Sequence, residues 1–259
     1  MQYTFYKYQG TGNDFIILDN REGKITLTPE QINKLCDRKF GIGADGLMML
    51  NTSNKYDFEM YYVNADGKPS TMCGNGGRCL TKFAYDTGMK KDTYKFWAID
   101  GEHEAILSDN NWINLKMQDV NSIENKNGDY ILNTGSLHFV KNTNNVMDIN
   151  VFKEGREIRY SKEFEQNGIN VNFVEATDED AITVRTYERG VENETLSCGT
   201  GATASALVYY HNETGFNRIE IKTLGGNLAV EFNRMNDNTY NNIWLCGPAA
   251  FVFKGEIEI

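Results

Sequence analysis

The sequence has no apolar run approaching the roughly 18 residues that a membrane-spanning helix needs, which reads against a transmembrane segment. Its first residues, Met1-Gln2-Tyr3-Thr4-Phe5-Tyr6-Lys7, lack the apolar core of a signal peptide. It has no Cys-x-x-Cys, and its five cysteines form no tight pairing pattern. An odd, unpaired set suits a reducing cytoplasm, so a cytoplasmic protein is expected. The three histidines, His103, His138 and His211, lie far apart, and no zinc-ligand spacing occurs. No metal is therefore expected. Basic excess is also missing: the formal net charge is −10. That balance argues against nucleic acid or an anionic membrane as partner, since both need a basic face. Its plainest meaning is solubility.

What is present is 259 residues, 40% of them hydrophobic, enough for one large domain or two smaller ones with cores of their own. The stretch around which the chain is organised is Thr71-Met72-Cys73-Gly74-Asn75-Gly76-Gly77-Arg78-Cys79. It follows an extended run, Phe58 to Asn64, and precedes a helix expected over Gly76 to Thr87, with Gly88 as its stop. One echo exists: Leu196-Ser197-Cys198-Gly199-Thr200-Gly201-Ala202-Thr203, after the strand-like Ile182 to Tyr187 and before the apolar Ala204 to Tyr210. Both copies read Cys-Gly-x-Gly at the mouth of a helix. A thiol there has free backbone N–H groups beside it and the positive end of the helix dipole beneath it, which favours thiolate.

Taken in order, residues 3 to 20 read as two strands around Gln9-Gly10-Thr11-Gly12-Asn13-Asp14. Thr28-Pro29-Glu30-Gln31 opens a helix with a capping box, and Ile32 and Leu35 form its apolar face. A glycine-dense loop, Phe40 to Gly46, leads to a strand over Leu47 to Leu50, and Tyr56 to Asn64 is the next strand. Asn64-Ala65-Asp66-Gly67 is a turn. Residues 93 to 118 read as three strands, and the polar stretch 119 to 129 as a domain boundary. Further strands are expected at 130–133, 137–141, 169–175 and 181–187. The second helix is expected to end near Gly215, with strands at 218–223, 227–232 and 242–246. The last run, Ala250 to Ile259, can return to the first half.

The halves match in order. Cys73 lies nine positions after Asn64, Cys198 nine after Arg189, and 125 residues separate the two cysteines. That period is too long for a solenoid and suits two similar α/β domains with a cleft between them. The boundaries are 1–118 plus 249–259 for the first and 119–248 for the second. Two thiols in matched settings suit removal of a proton from one face of a carbon and its return to the other. One begins as thiolate and the other as thiol, and they exchange states on turnover. Converging helix N-termini would stabilise the enolate-like charge that develops on an adjoining carboxylate. Glycine at the second and fourth motif positions lets backbone approach closely.

The motifs together resemble the diaminopimelate epimerase family over essentially the whole chain. The resemblance rests on Gly10-Thr11-Gly12-Asn13-Asp14-Phe15, Gly41-Ile42-Gly43-Ala44-Asp45-Gly46, and Asn64-Ala65-Asp66-Gly67 running into Met72-Cys73-Gly74-Asn75-Gly76. It continues through Gly135-Ser136-Leu137-His138 and Asn170 to Tyr187-Glu188-Arg189-Gly190 and Ser197-Cys198-Gly199-Thr200-Gly201. It implies two pseudo-symmetric α/β domains, each a mixed β-sheet wrapped around a central helix. It implies interconversion of L,L- and meso-diaminopimelate without cofactor or metal, in lysine and peptidoglycan precursor biosynthesis, by a homodimer. Cys73 and Cys198 become the acid/base pair. From L,L to meso, Cys198 accepts the proton and Cys73 donates one. The backbone at Gly74, Asn75, Gly199 and Thr200 would hold the reacting carboxylate. Asn13 and Glu188 would sit near the reacting centre, Glu188 on the α-ammonium. Asn64, Asn170 and Arg189 would read the distal amino-acid end, with the arginine fork on its carboxylate. His138 matches a histidine that supports catalysis. The chain departs from the family at Gly46, where many members carry Gln, and at Ser136, where the family has Asn.

Cys36, Cys79 and Cys246 lack the repeated glycine context and read as core or surface residues. A redox or metal pair of Cys73 and Cys79 is not repeated, because the position matching Cys79 is Ala204. His103 and His211 read as structural or exposed. Two further readings stay open: a proline racemase, hydroxyproline epimerase or phenazine-type isomerase on the same fold, and a thiol-based binding or redox-sensing module.

Overall fold

The computed structural model describes residues 2–110, 112–209 and 211–259. The chain divides into two compact units, Met1–Leu115 with Gly247–Ile259, and Lys116–Cys246.

In the first unit the strand Gln2–Gly10 turns back into Asn13–Asp19, and the two pair antiparallel. Phe15, Ile16, Ile17 and Leu18 are all buried, so this strand is covered on both faces. Ile16 and Leu18 join Leu47, Met49 and Val63 in a core with Ile32 and Leu35 of helix α1 (Pro29–Cys36). The Thr28 side chain accepts from the Gln31 amide and the Gln31 side chain returns the bond, so the capping box forms as expected. The other face of the same strands packs on helix α2 (Gly74–Asp86), buried through most of its length. Gly88 follows at φ +106°, the left-handed stop.

The sheet continues from Asn13–Asp19 parallel to Gly46–Asn51, then antiparallel to Phe58–Asn64, parallel to Thr93–Ala98, and antiparallel to Gly101–Leu107 and Ile113–Lys116. At its opposite edge Ala250–Glu258 pairs antiparallel with Gln2–Gly10, so the end of the chain does return to the first half.

The second unit repeats this pattern. Ile123–Lys126, Asp129–Asn133 and Leu137–Asn142 are successively antiparallel. Asn170–Asp178 lies parallel to the last of these, and Ala181–Glu188 antiparallel to it. Gly215–Thr223 then runs parallel, followed by Gly226–Asn236 and Thr239–Gly247, each antiparallel to its predecessor. The order of parallel and antiparallel joints is the same in both units. In each, one parallel crossover carries a surface helix and the other a buried helix. Here they are α3 (Val151–Arg159) and α4 (Gly199–Leu207). The one difference of origin is at the outer edge. Ile123–Lys126 is local in sequence, whereas its counterpart in the first unit, Ala250–Glu258, comes from the far end of the chain.

Several expectations about elements need correction. The polar stretch 119–129 holds the strand Ile123–Lys126, because pairing with Asp129–Asn133 satisfies its backbone despite its composition. Helix α3 lies where no element was expected. It approaches the sheet at Gly155, where a Cβ would stand 2.4 Å from the Tyr187 Cβ. A short strand, Asn193–Thr195, lies between Ala181–Glu188 and Cys198, where none was expected. Helix α4 ends at Leu207, well before Gly215. The Asn212 side chain donates to the Ala206 and Leu207 carbonyls at 2.8 and 3.0 Å, a cap that apolar composition could not reveal.

Candidate active site

Cys73 is the N-cap of α2, with extended backbone at φ −98° and ψ 129°, and Cys198 is the N-cap of α4 at φ −118° and ψ 113°. Neither side chain caps its own helix. Four residues on, Gly77 N donates to the Cys73 carbonyl at 2.7 Å and Ala202 N to the Cys198 carbonyl at 2.9 Å. Each sulfur is thus set at the first turn of a buried helix, at the positive end of its dipole. The fourth motif glycine is explained by packing. A Cβ at Gly76 would stand 2.1 Å from the Met48 Cε, and one at Gly201 2.3 Å from the Asn172 Oδ1. At Gly201 the neighbour is held by its bond from Thr186, so glycine is what lets α4 start so close to its sheet, whereas at Gly76 the neighbour is the flexible end of Met48.

Around Cys73 the first unit gathers Asn13, Gly74 and Asn75. Cys73 Sγ stands 3.6 Å from Asn13 Oδ1, and Asn75 Nδ2 3.5 Å from the same oxygen. The Asn13 amide nitrogen donates to Asp45 at 2.5 Å. Arg38 binds both Asp45 and Asp14, and Lys7 pairs with Asp14 at 2.8 Å. Burial alone would raise the Asp14 carboxyl, but Arg38 and Lys7 outweigh it and hold it down at about 2. Beneath the helix start lies Arg78, fully buried, donating to Asn75 Oδ1 at 2.9 Å, Thr11 Oγ1 at 3.2 Å and the Gly74 carbonyl at 3.3 Å. Asn64 ends the strand Phe58–Asn64 opposite Gly46, and its backbone closes the turn with Gly67 and Lys68. At Gly46 itself a Cβ would lie 2.7 Å from both the Tyr62 ring and the Val63 carbonyl. The Tyr62 ring occupies the room a side chain there would need.

Around Cys198 the second unit gathers Gly199 and Thr200. Cys198 Sγ is 3.5 Å from Thr200 Oγ1, and Thr134 Oγ1 donates to the Thr200 carbonyl at 2.8 Å. His138 and Asn170 stand opposite each other on parallel strands. His138 is fully buried, and its Nδ1 accepts from Asn172 at 3.0 Å, which leaves the proton on Nε2. Nε2 has no hydrogen-bond partner among the described residues. Burial, and then the Arg189 charge, push His138 down to about 3, so it is neutral at ordinary pH. Asn170 donates to Ser136 Oγ at 2.7 Å and to the Leu137 carbonyl, and it accepts from the Arg189 backbone N–H at 2.9 Å. Asn170 therefore fixes where Arg189 leaves the strand. The exposed Arg189 side chain donates to the Asn167 carbonyl, and Glu188 accepts from Thr195 Oγ1 at 3.0 Å.

The remaining cysteines are buried, and none forms a disulfide. Burial pushes Cys36 up to about 11 and Cys79 up to about 12, which keeps both as thiols. Among the described residues no group of His, Cys, Asp and Glu is placed to hold a metal ion, and no helix is long and apolar enough to cross a membrane. Sequence reasoning missed Arg78, Asp45 and Arg38 as supports of the Cys73 loop, and Asn172 as the partner of His138. Arg78 and Asp45 stood inside quoted motifs. Nothing local in the chain marks Arg38 or Asn172.

The family model described as diaminopimelate epimerase matches residues 5–123 and 130–252. The diaminopimelate epimerase of Flavobacterium psychrophilum is 49% identical over 97% of this chain and 99% of its own length. That of Chlorobaculum tepidum is 43% identical over 96% and 99%. Among solved structures, a phenazine biosynthesis protein of the PhzF family from Bacillus anthracis superposes with a TM-score of 0.76 at 14% identity, over 100% of both chains. A hydroxyproline epimerase from Agrobacterium vitis superposes with a TM-score of 0.71 at 11% identity, over 99% of this chain and 92% of its own. At such identities the structural likeness establishes the shared fold, which is the two-domain α/β architecture expected from the sequence.

Proposed function

The chain belongs to the diaminopimelate epimerase family, and on that premise we propose that it interconverts L,L- and meso-diaminopimelate by proton exchange between Cys73 and Cys198. The reaction serves lysine and peptidoglycan precursor biosynthesis, in the cytoplasm and as a homodimer. It needs no cofactor or metal in this reading. The observation that carries it is the repeated sulfur: each unit sets a cysteine at the N-cap of its own buried helix, with matched backbone geometry.

From L,L to meso, the Cys198 thiolate takes the α-proton and the Cys73 thiol gives its proton to the opposite face of the carbon. One S–H bond forms, one breaks, and the net charge is unchanged. The backbone N–H groups at Gly74, Asn75, Gly199 and Thr200 meet the reacting carboxylate, where negative charge grows in the transition state. A glycine beside each sulfur leaves room for that approach. Asn13 lies at the reacting centre through its contact with Cys73. Glu188 suits the α-ammonium, and Asn64, Asn170 and Arg189 the distal end, with the anchoring of Arg189 by Asn170 in support. His138, neutral and with its Nε2 proton available, assists as a donor.

Diaminopimelate incubated in deuterated water should gain deuterium at the α-carbon. Cys73→Ala and Cys198→Ala should each lower that exchange by about 100-fold or more, the usual scale for a lost acid/base group. Exchange at full rate in folded variants removes the two-base mechanism. Exchange into proline but not diaminopimelate moves the activity to another member of the fold.

A further inference from the structure

A carboxylate can only accept hydrogen bonds and a guanidinium can only donate them. The first unit strings two asparagine amides between one of each, and so their orientation is forced. At one end the Arg78 guanidinium donates to Asn75 Oδ1 at 2.9 Å, which turns the Asn75 amide nitrogen toward Asn13 Oδ1. At the other end Asp45 Oδ2 accepts from Asn13 Nδ2 at 2.5 Å. Asp45 has little freedom to move. It accepts from the Asp14 backbone N–H at 3.2 Å and from Arg38 at 2.6 Å. Arg38 in turn grips Asp14 with both ends of its fork, at 2.7 and 3.0 Å. The Asn13 oxygen is therefore the atom that meets the Cys73 sulfur, at 3.6 Å. A carbonyl oxygen accepts from a thiol and repels a thiolate.

We infer that Asp45 is a positioning residue for Cys73: by binding the Asn13 amide nitrogen it turns the Asn13 carbonyl oxygen onto the sulfur and holds Cys73 protonated in the substrate-free protein. Further charged and titratable groups of the first unit stand on several segments near this sulfur. Asp14, Arg38 and Lys7 stand behind Asp45. Arg78 and Cys79 lie on α2, and Arg78 together with the helix dipole pulls toward thiolate. Asp100 accepts from the Met72 N–H at 3.2 Å and from His103 at 3.2 Å. At Cys198 one side-chain partner is a hydroxyl, Thr200 Oγ1, which can turn its proton onto the sulfur. The contact described for each sulfur differs in kind, a carbonyl oxygen at Cys73 and a hydroxyl at Cys198, and the carbonyl is the one that favours a bound proton. The consequence for turnover rests on the two-thiol reading above: the resting protein is primed to give a proton from Cys73.

The test reads the thiol without turnover. In a Cys198→Ser protein, the rate of iodoacetamide labelling at Cys73 is followed against pH and assigned by peptide mass. Asp45→Asn, which can offer the Asn13 amide a carbonyl or an NH2, should raise labelling at pH 7 about tenfold, one unit of acidity. Asn13→Ala deletes the acceptor while Asp45 keeps its charge, and labelling should rise by a similar factor. A rise with Asp45→Asn alone is the plain field of the carboxylate and overturns the proposal, as does no rise in either. With Asp45 intact, Cys73 in the Cys198→Ser protein should also label at higher pH than Cys198 in a Cys73→Ser protein. The reverse order overturns it. Failure here with deuterium exchange intact would leave the epimerase reading standing. Loss of exchange in the parent protein would remove that reading without touching the labelling result.

Discussion

Arg78 and Thr203 do the same work in two matched helices. The Arg78 guanidinium donates to the Gly74 carbonyl at 3.3 Å, and the Thr203 hydroxyl donates to the Gly199 carbonyl at 3.0 Å. Both side chains are fully buried and both sit five residues after the N-cap cysteine. One brings a positive charge to the underside of the helix start, and the other brings none.

That difference predicts unequal costs. Arg78→Met leaves the Asn75, Thr11 and Gly74 oxygens short of a donor, and each buried loss costs about 1–3 kcal/mol. Thr203→Val forfeits one neutral hydrogen bond, worth about 1 kcal/mol. Urea unfolding midpoints should fall for both, and at least twice as far for Arg78→Met.

Gly201→Ala forces a methyl group against the Asn172 side chain, which is already held by its bonds to Thr186 and His138. Overpacking of this kind costs about 1–3 kcal/mol. The melting temperature should drop, and exchange activity should fall with it as α4 and its N-cap cysteine shift. Wild-type melting would show that α4 can move away from the sheet without penalty.

His138 makes stability depend on pH in a defined window. Its folded value of about 3 lies below the ordinary 6.5. Between those values the unfolded chain binds a proton that the folded chain refuses. The contribution is complete above pH 6.5 and shrinks as pH falls, by up to about 1.4 kcal/mol per unit, until it levels near pH 3. Subtracting the unfolding free energies of His138→Leu from those of the wild type, from pH 4.5 to 7, should leave this slope. A flat difference would mean that the imidazole takes up its proton in the folded state.

On the proposed reading that both thiols serve one carbon, Cys73 and Cys198 should be sensitive to mild oxidants. Oxidation should abolish deuterium exchange on diaminopimelate, and a dithiol reductant should restore it. The buried Cys36 and Cys79 should stay unlabelled by iodoacetamide throughout, being held as thiols. Activity indifferent to oxidant would count against the pairing.

Much of the architecture was legible because its signals are local. A cysteine followed by Gly-x-Gly marks a helix start, and the structure makes both cysteines N-caps. Thr28 and Gln31 announce their capping box within one turn. The strands 137–141 and 181–187 alternate or run apolar as buried strands must. Helix α3 escaped because its sequence, Val-Phe-Lys-Glu-Gly-Arg-Glu-Ile-Arg, carries a mid-helix glycine whose purpose lies in the distant Tyr187 ring.

The sequence by itself determined the duplication, the two N-cap cysteines and the family, since each is written in neighbouring residues or in one recurring motif. Only the tertiary structure decided which polar atom each sulfur meets. Asn13 reaches Asp45 across 32 positions, and Arg78 reaches the Pro248 carbonyl across 170. The direction of a hydrogen bond follows from which charged group strand register brings to each end, and no spacing along the chain encodes that.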